Sequence, residues 1–275
     1  MEATDCSGRS QESIQNTFVF VLGVAATFLA AEVFFKHVLS KPLTTMLKRN
    51  PAMTEKKVKN AIPLEVTRFL GFIHNTVQLP IAIWAVSHPA LQSDRLQGTT
   101  ATSHIMLCIA AGFFLHDAVC CLLRESPFYV VHGLTCTLGY IAAAAVGAGH
   151  FYGGLFLLWE LSTPFVQLRW VLQKMGLSES KVYMMCSLLM VITFSLARVV
   201  FGTVFTFQLL KDTYIELSRS DDGCKAPAPL LIGLCAAAST VSCLNYYWFN
   251  LMRKSLVKIM FGGQSWTKAS EGKEE

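Results

Sequence analysis

The chain has 275 residues, 53% of them hydrophobic and 15% charged, and a formal net charge of +5. Apolar stretches of about 20 residues recur along it, so the class is an all-α, polytopic membrane protein rather than a soluble domain. The basic residues gather at the ends of those stretches, which excludes nucleic acid as a partner, and the strict alternation of a transmembrane β-barrel is missing.

Residues 1–16 are polar and lack the basic start of a cleavable signal, so they read as a disordered tail. The first span is expected at Thr17–Leu39, with Glu32 and Lys36 one turn apart and able to neutralise each other. Ser40–Glu65 follows as a loop, the most densely basic segment of the chain. A second span at Val66–Val86 aligns Arg68, Gly71, Asn75 and Gln78 on one face, with His74 beside them. The third, Ser103–Leu123, holds His116 and Asp117. These two lie about 100° apart, so only one can face fully inward, and Asp117 is the expected one because a carboxylate facing lipid costs more. The fourth span, Phe128–Gly147, carries His132, Thr135, Cys136, Gly139 and Ala143 on a small, polar face.

The fifth span, His150–Val171, organises the rest. It is long enough to cross about 30 Å of hydrocarbon and has Glu160 near its centre. A carboxylate there is costly unless it is paired or faces a polar cavity. Pro164 has no N–H, so the Glu160 carbonyl loses its helical partner and a kink is expected. Glu160, Thr163 and Gln167 share a face. Span six, Val182–Leu210, has Arg198 deep inside as the expected counter-charge, and span seven, Pro229–Met252, offers Ser239, Ser242, Cys243, Tyr246 and Asn250 as a polar stripe. Seven spans put the termini on opposite sides. With the N-terminus outside, fourteen Lys and Arg fall in cytosolic segments and five on the other side, so the N-terminus is expected to be lumenal and the C-terminus cytosolic. Spans two to seven each carry a polar or small stripe, which predicts six helices around a polar-lined cavity with span one peripheral. The nine cysteines show no CxxC pair and no Cys/His metal spacing, so no metal is expected; Cys6 and Cys224, the two outside the spans, are candidates for a lumenal disulfide.

The segments GFFLHD at 112–117, FYVVHGLTCTLGY at 128–140 and GHFYGGLFLLWELSTPFVQLRW at 149–170 resemble the TLC-domain family (TRAM, Lag and CLN homologues). The ELSTPF run followed by Arg169 and Trp170 is more similar to the small TLC domain-containing proteins than to ceramide synthases. The resemblance covers roughly Ala61–Met252 and divides the chain into a tail (1–16), a first helix with basic loop (17–60), a TLC domain (61–253) and a cytosolic tail (254–275). It implies a six-helix barrel in the endoplasmic reticulum or Golgi that opens to lipid, sphingolipid or acyl-CoA. Its implied role lies in lipid homeostasis, sensing or trafficking, with no cofactor beyond acyl-CoA as a ligand. Ceramide synthases carry two adjacent histidines and further acids, whereas here His132 is followed by Gly133 and the later acid stands alone at Glu160. Half of the acid–base equipment of an acyl-CoA-dependent acyltransferase is missing. His132 and Asp117 are the catalytic candidates if one remains; the two could equally hydrogen-bond each other across helices. The expected lipid- or cavity-lining set is His74, Asn75, Asp117, His132, Glu160, Thr163, Gln167, Arg198 and Tyr246. A cargo or translocation factor is a third reading, although the tail EGKEE lacks a complete dilysine signal.

Overall fold

The computed structural model describes residues 11–124, 126–219 and 226–262. The chain is an all-α membrane protein, with no strand among the described residues. Helix α1 runs Gln11–Leu47 and α2 Glu55–Ser87; a short α3, Pro89–Ser93, leads to α4, Ala101–Arg124, and α5, Pro127–Val146. Then come α6 (His150–Leu157), a turn of 3-10 helix (Leu158–Ser162) and α7 (Thr163–Lys174), followed by α8 (Lys181–Phe194), a π-helical turn (Ser195–Val200), α9 (Phe201–Ser218) and α10 (Ala228–Gly262). Among these residues six helices are long and apolar enough to cross a membrane, α8 to α9 counting as one. The stretch read from sequence as span five, His150–Val171, is divided among α6, the 3-10 turn and α7, and so is not one of these six.

The basic segment expected as a loop is mostly helical. Helix α1 has 37 residues and so outruns the hydrocarbon slab at about 1.5 Å per residue. Its last turn packs Leu47 onto Val58 and Ala61 of α2, a small cluster that makes helix the favourable state there. Only residues 48–54 turn the corner. Thr54 caps α2 by accepting from the Lys57 N–H, and Lys48 bridges Glu55 at 2.9 Å. At its other end α1 starts at Gln11, inside the stretch read as a tail. The proposed Cys6–Cys224 bridge lies outside the described residues.

The apolar core joins α2, α4, α5, α6 and α10 through small and large partners such as Ala82, Leu107, Ala144, Tyr152 and Leu231. The alanines of α5 let α4 and α10 approach closely, as small residues do between helices in lipid. Gly147 and Gly149, both at φ near +75°, make the tight turn from α5 to α6, and the Gly149 N–H donates to the Leu96 carbonyl. Charged clamps close both ends of the bundle. At one end Arg95 pairs with Asp212, which also accepts from the Tyr152 hydroxyl. At the other, Glu65 accepts from Arg68 at 2.7 Å and Lys174 at 3.1 Å, tying α2 to α7.

The Glu32–Lys36 pairing expected within α1 does not describe Glu32. Its side chain is buried against α4, where its carboxylate meets the His116 ring at 3.0 Å, while Lys36 is exposed. Of His116 and Asp117, Asp117 is the one that faces inward, as expected. His116 is buried under α1, and Asp117, half-buried, faces the cavity. Span one is peripheral in that few of its residues are buried, but it supplies the polar partner that lets His116 point outward from the bundle.

Candidate functional site

Two departures from α-helical geometry face each other at the centre of the bundle. Pro164 cannot donate to the Glu160 carbonyl, and the Thr163 N–H takes its place, tightening Leu158–Ser162 into 3-10 helix. Opposite, the Ser195 hydroxyl donates to the Val191 carbonyl at 2.6 Å, next to a π-helical turn that widens the helix and carries Arg198 inward. The Arg198 guanidinium donates to Glu160 at 2.8 Å, to the Thr163 hydroxyl at 2.9 Å, to the Ser162 hydroxyl at 3.1 Å and to the Asn245 side-chain carbonyl at 3.3 Å. The Thr163 hydroxyl itself donates to the other Glu160 oxygen at 2.6 Å. Both charges are buried and almost every polar direction around them is filled, which is the condition for ion pairs to survive without water.

This cage forms part of the wall between two cavities. A wide one, about 1590 Å³ counting its mouth, is lined by Asn75, Asp117, His132, Glu160, Thr163, Gln167 and Arg198, with Arg68, Arg169 and Trp170 toward the Lys174 end. A second, about 600 Å³ of empty space counting its opening, extends away along α5 from His132 past Gly139 to Ala143, and its far wall is Leu209, Leu234, Ala237, Ala238 and Val241. The run from His132 to Ala143 is about 16 Å long at helical rise. Phe114, His132 and Glu160 line both cavities and so mark their junction. The first is a vestibule whose charged and amide side chains are set among apolar ones such as Phe113, Met190 and Trp248, and the second is an apolar tunnel. The sequence reading of one polar-lined cavity is therefore half of the arrangement.

His132 is half-buried, its ring edge-on to Phe114 and Trp248 and its nitrogens 3.8 and 4.0 Å from the Cys136 sulfur. Gln167 contributes a buried acceptor, Oε1, that has no partner among the described residues. Arg68 lies over Trp170 at 4.4 Å and Arg169 over Tyr183 at 5.1 Å, so the vestibule mouth is rimmed by stacked cations.

Two of the expected lining residues sit elsewhere. His74 is buried behind the wall, stacked on Phe113 at 3.8 Å and bonded to Asn75 at 3.2 Å; an aromatic neighbour, not the cavity, takes its face. Tyr246 is on the outer surface and hydrogen-bonds Thr203. With Ser242 bonded to Thr206 at 3.0 Å, it shows that the polar stripe of α10 faces α9, where interhelical hydrogen bonds satisfy it. Ser162 and Asn245 complete the Arg198 cage and went unread. Asn245 offered a signal, being polar in mid-span, but it shares its face with the apolar Ala238 and Val241; Ser162 was hidden because its position turns inward only through the 3-10 turn.

Residues 66–254 match the family described as TLC domain. Mouse protein CLN8 is 33% identical over 171 residues, 59% of this chain and 54% of its own length. An uncharacterized TLC domain-containing protein of Schizosaccharomyces pombe is 27% identical over 165 residues, 58% of this chain and 53% of its own length. The chain thus spans about half the length of these two relatives. A second uncharacterized TLC domain-containing protein, from Saccharomyces cerevisiae, is 24% identical over 255 residues, 87% of this chain and 78% of its own length.

Proposed function

The chain belongs to the TLC domain family, and from that premise we propose that it takes a single lipid or acyl chain into its tunnel and holds the polar head in the vestibule. The observation that carries this reading is the junction at His132 and Glu160 between a cavity that carries charged and amide side chains and one lined almost wholly by apolar residues. A ligand with an apolar chain and a polar head has one arrangement that removes its chain from competing polar surroundings and leaves its head hydrogen-bonded. The role is lipid homeostasis, sensing or trafficking in an endoplasmic reticulum or Golgi membrane. The vestibule opens at the Lys174 end, which the charge distribution assigns to the cytosol, with the N-terminus lumenal.

Binding without chemistry is favoured over acyl transfer. Aminolysis of a thioester needs a base, and Glu160 is engaged by Arg198 and Thr163, leaving His132 with Asp117 as the candidate base system. Purified protein given acyl-CoA and a long-chain base is expected to form no appreciable ceramide. Turnover lost in His132→Ala would overturn the non-enzymatic reading and leave acyl transfer.

The tunnel can be closed by one substitution. A Cβ at Gly139 would meet only the Ala237 methyl, at 3.7 Å, so a larger side chain fits the backbone and projects into the lumen. Gly139→Leu is expected to leave thermal stability near wild type and to deplete co-purifying lipid by about tenfold, since losing about 60 Å² of apolar contact removes roughly 1.5 kcal/mol. Mass spectrometry of lipids extracted from both proteins, purified alike in detergent, measures this. Equal lipid content would count against the tunnel as the binding site.

A further inference from the structure

A second cluster of ligand-type side chains lies outside this site, between α1 and α4. Glu32 Oε2, His116 Nε2 and Cys120 Sγ all lie within 4.8 Å of one another, and all three residues are buried. The separations are 3.0 Å for His116 to Glu32, 3.3 Å for Cys120 to Glu32 and 3.5 Å for Cys120 to His116. We propose that Glu32, His116 and Cys120 form a zinc-binding site that fastens α1 to α4.

Three features carry the proposal. The first is shape. Zinc bonds of about 2.3 Å to sulfur and 2.0–2.2 Å to nitrogen or oxygen, at tetrahedral angles, place the donor atoms about 3.3–3.6 Å apart. The observed triangle is close to that face, and the shortest edge opens by a few tenths of an ångström. The second is charge. A thiolate and a carboxylate balance a divalent cation, so the loaded site is neutral, as its surroundings among apolar helices require. Binding Zn²⁺ releases the Cys120 thiol proton and uses the Nε2 lone pair of a neutral His116, with no change in oxidation state. The third is donor type. Sulfur, imidazole and carboxylate together suit zinc better than a hard cation such as magnesium or calcium.

His116 Nδ1 is buried without a partner among the described residues. It carries one unmet hydrogen-bonding capacity whether Nε2 binds a proton or a metal, so it does not favour the metal-free triad. Phe28 covers the ring at 6.0 Å, and Cys120 also lines the vestibule, which gives the cation a route in from that cavity. The sequence offers only the His116 and Cys120 pair, one helical turn apart on α4, because the third ligand comes from 84 residues away.

The test uses the full chain with its affinity tag removed, stripped by a chelator in detergent and then titrated with zinc chloride. Metal analysis after gel filtration is expected to give about one zinc per chain. Cys120→Ala should weaken binding by about 100-fold or more, since even outer partners of metal ligands cost 10–100-fold. Cys121→Ala, the adjacent thiol, should bind as wild type. Cobalt chloride in place of zinc should give a sulfur-to-cobalt charge-transfer band that Cys120→Ala lacks. If Cys120→Ala fails to fold, Glu32→Gln, which keeps the thiol and the size of the side chain, is expected to weaken zinc binding by about tenfold or more, and wild-type binding by that variant would overturn the site. Substoichiometric metal without the band, or equal binding by Cys120→Ala, would overturn the site.

Discussion

Glu160→Ala is expected to lower stability by about 3–5 kcal/mol, the cost of leaving the Arg198 guanidinium buried without its counter-charge. Arg198→Leu should cost a similar amount for the mirror reason, because Glu160 would keep only the Thr163 hydroxyl at 2.6 Å. The double variant Glu160→Ala with Arg198→Leu should be clearly more stable than the sum of the two losses predicts, since no charge is then stranded. Recovery stops short of wild type. Ser162 and Asn245 give up bonds of 3.1 and 3.3 Å to Arg198, and buried groups left unsatisfied cost about 1–3 kcal/mol each. Thermal melting of the four proteins in one detergent reads the cycle. Strict additivity would mean that the two side chains do not depend on each other, and the cage would not be what holds the 3-10 and π-helical turns together.

The second large effect concerns Gly133, where ceramide synthases, by resemblance, carry the second of two histidines. A Cβ at this position would lie 2.9 Å from the Ala118 Cβ and 3.1 and 3.2 Å from its Cα and N. Helix α5 therefore meets the backbone of α4 here, and none of the three nearest atoms can rotate aside. Gly133→His should cost well above the usual 1–3 kcal/mol of an overpacked position, because the whole helix pair must part. It should not create acyltransferase activity, since the added ring is aimed at α4 while His132 faces the vestibule. Gly133→Ala should show the smaller form of the same loss, and Ala118→Gly should relieve part of it by removing the nearest atom. A Gly133→His protein that melts like wild type and converts acyl-CoA with a long-chain base would contradict both halves of the argument.

The sequence by itself determined which segments form helices long and apolar enough to cross a membrane, because length and apolarity are both local; six of the seven expected spans are such helices among the described residues. Span boundaries at Ser103, Phe128 and Val182 agree with the helices to within two residues. It also determined that Glu160 needs a cation, since a mid-span carboxylate is costly wherever it lies, and that Pro164 must disturb the helix one turn before it, since that effect is covalent. What lay outside its reach depends on helix rotation. Glu32 could be assigned to Lys36 from spacing alone, yet it turns to His116 because α1 presents that face to α4. The stripe of Ser242 and Tyr246 has the pattern of a cavity lining, but Thr203 and Thr206 on α9 take its hydrogen bonds. His74 has the depth for the cavity, but Phe113 covers its ring at 3.8 Å. In each case the pattern fixes that a polar face must be satisfied, while several partners could satisfy it at nearly equal cost. Only the packing of large and small residues between helices decides which partner is in reach, and that same packing divides the interior into a vestibule that holds the charged and amide groups and an apolar tunnel.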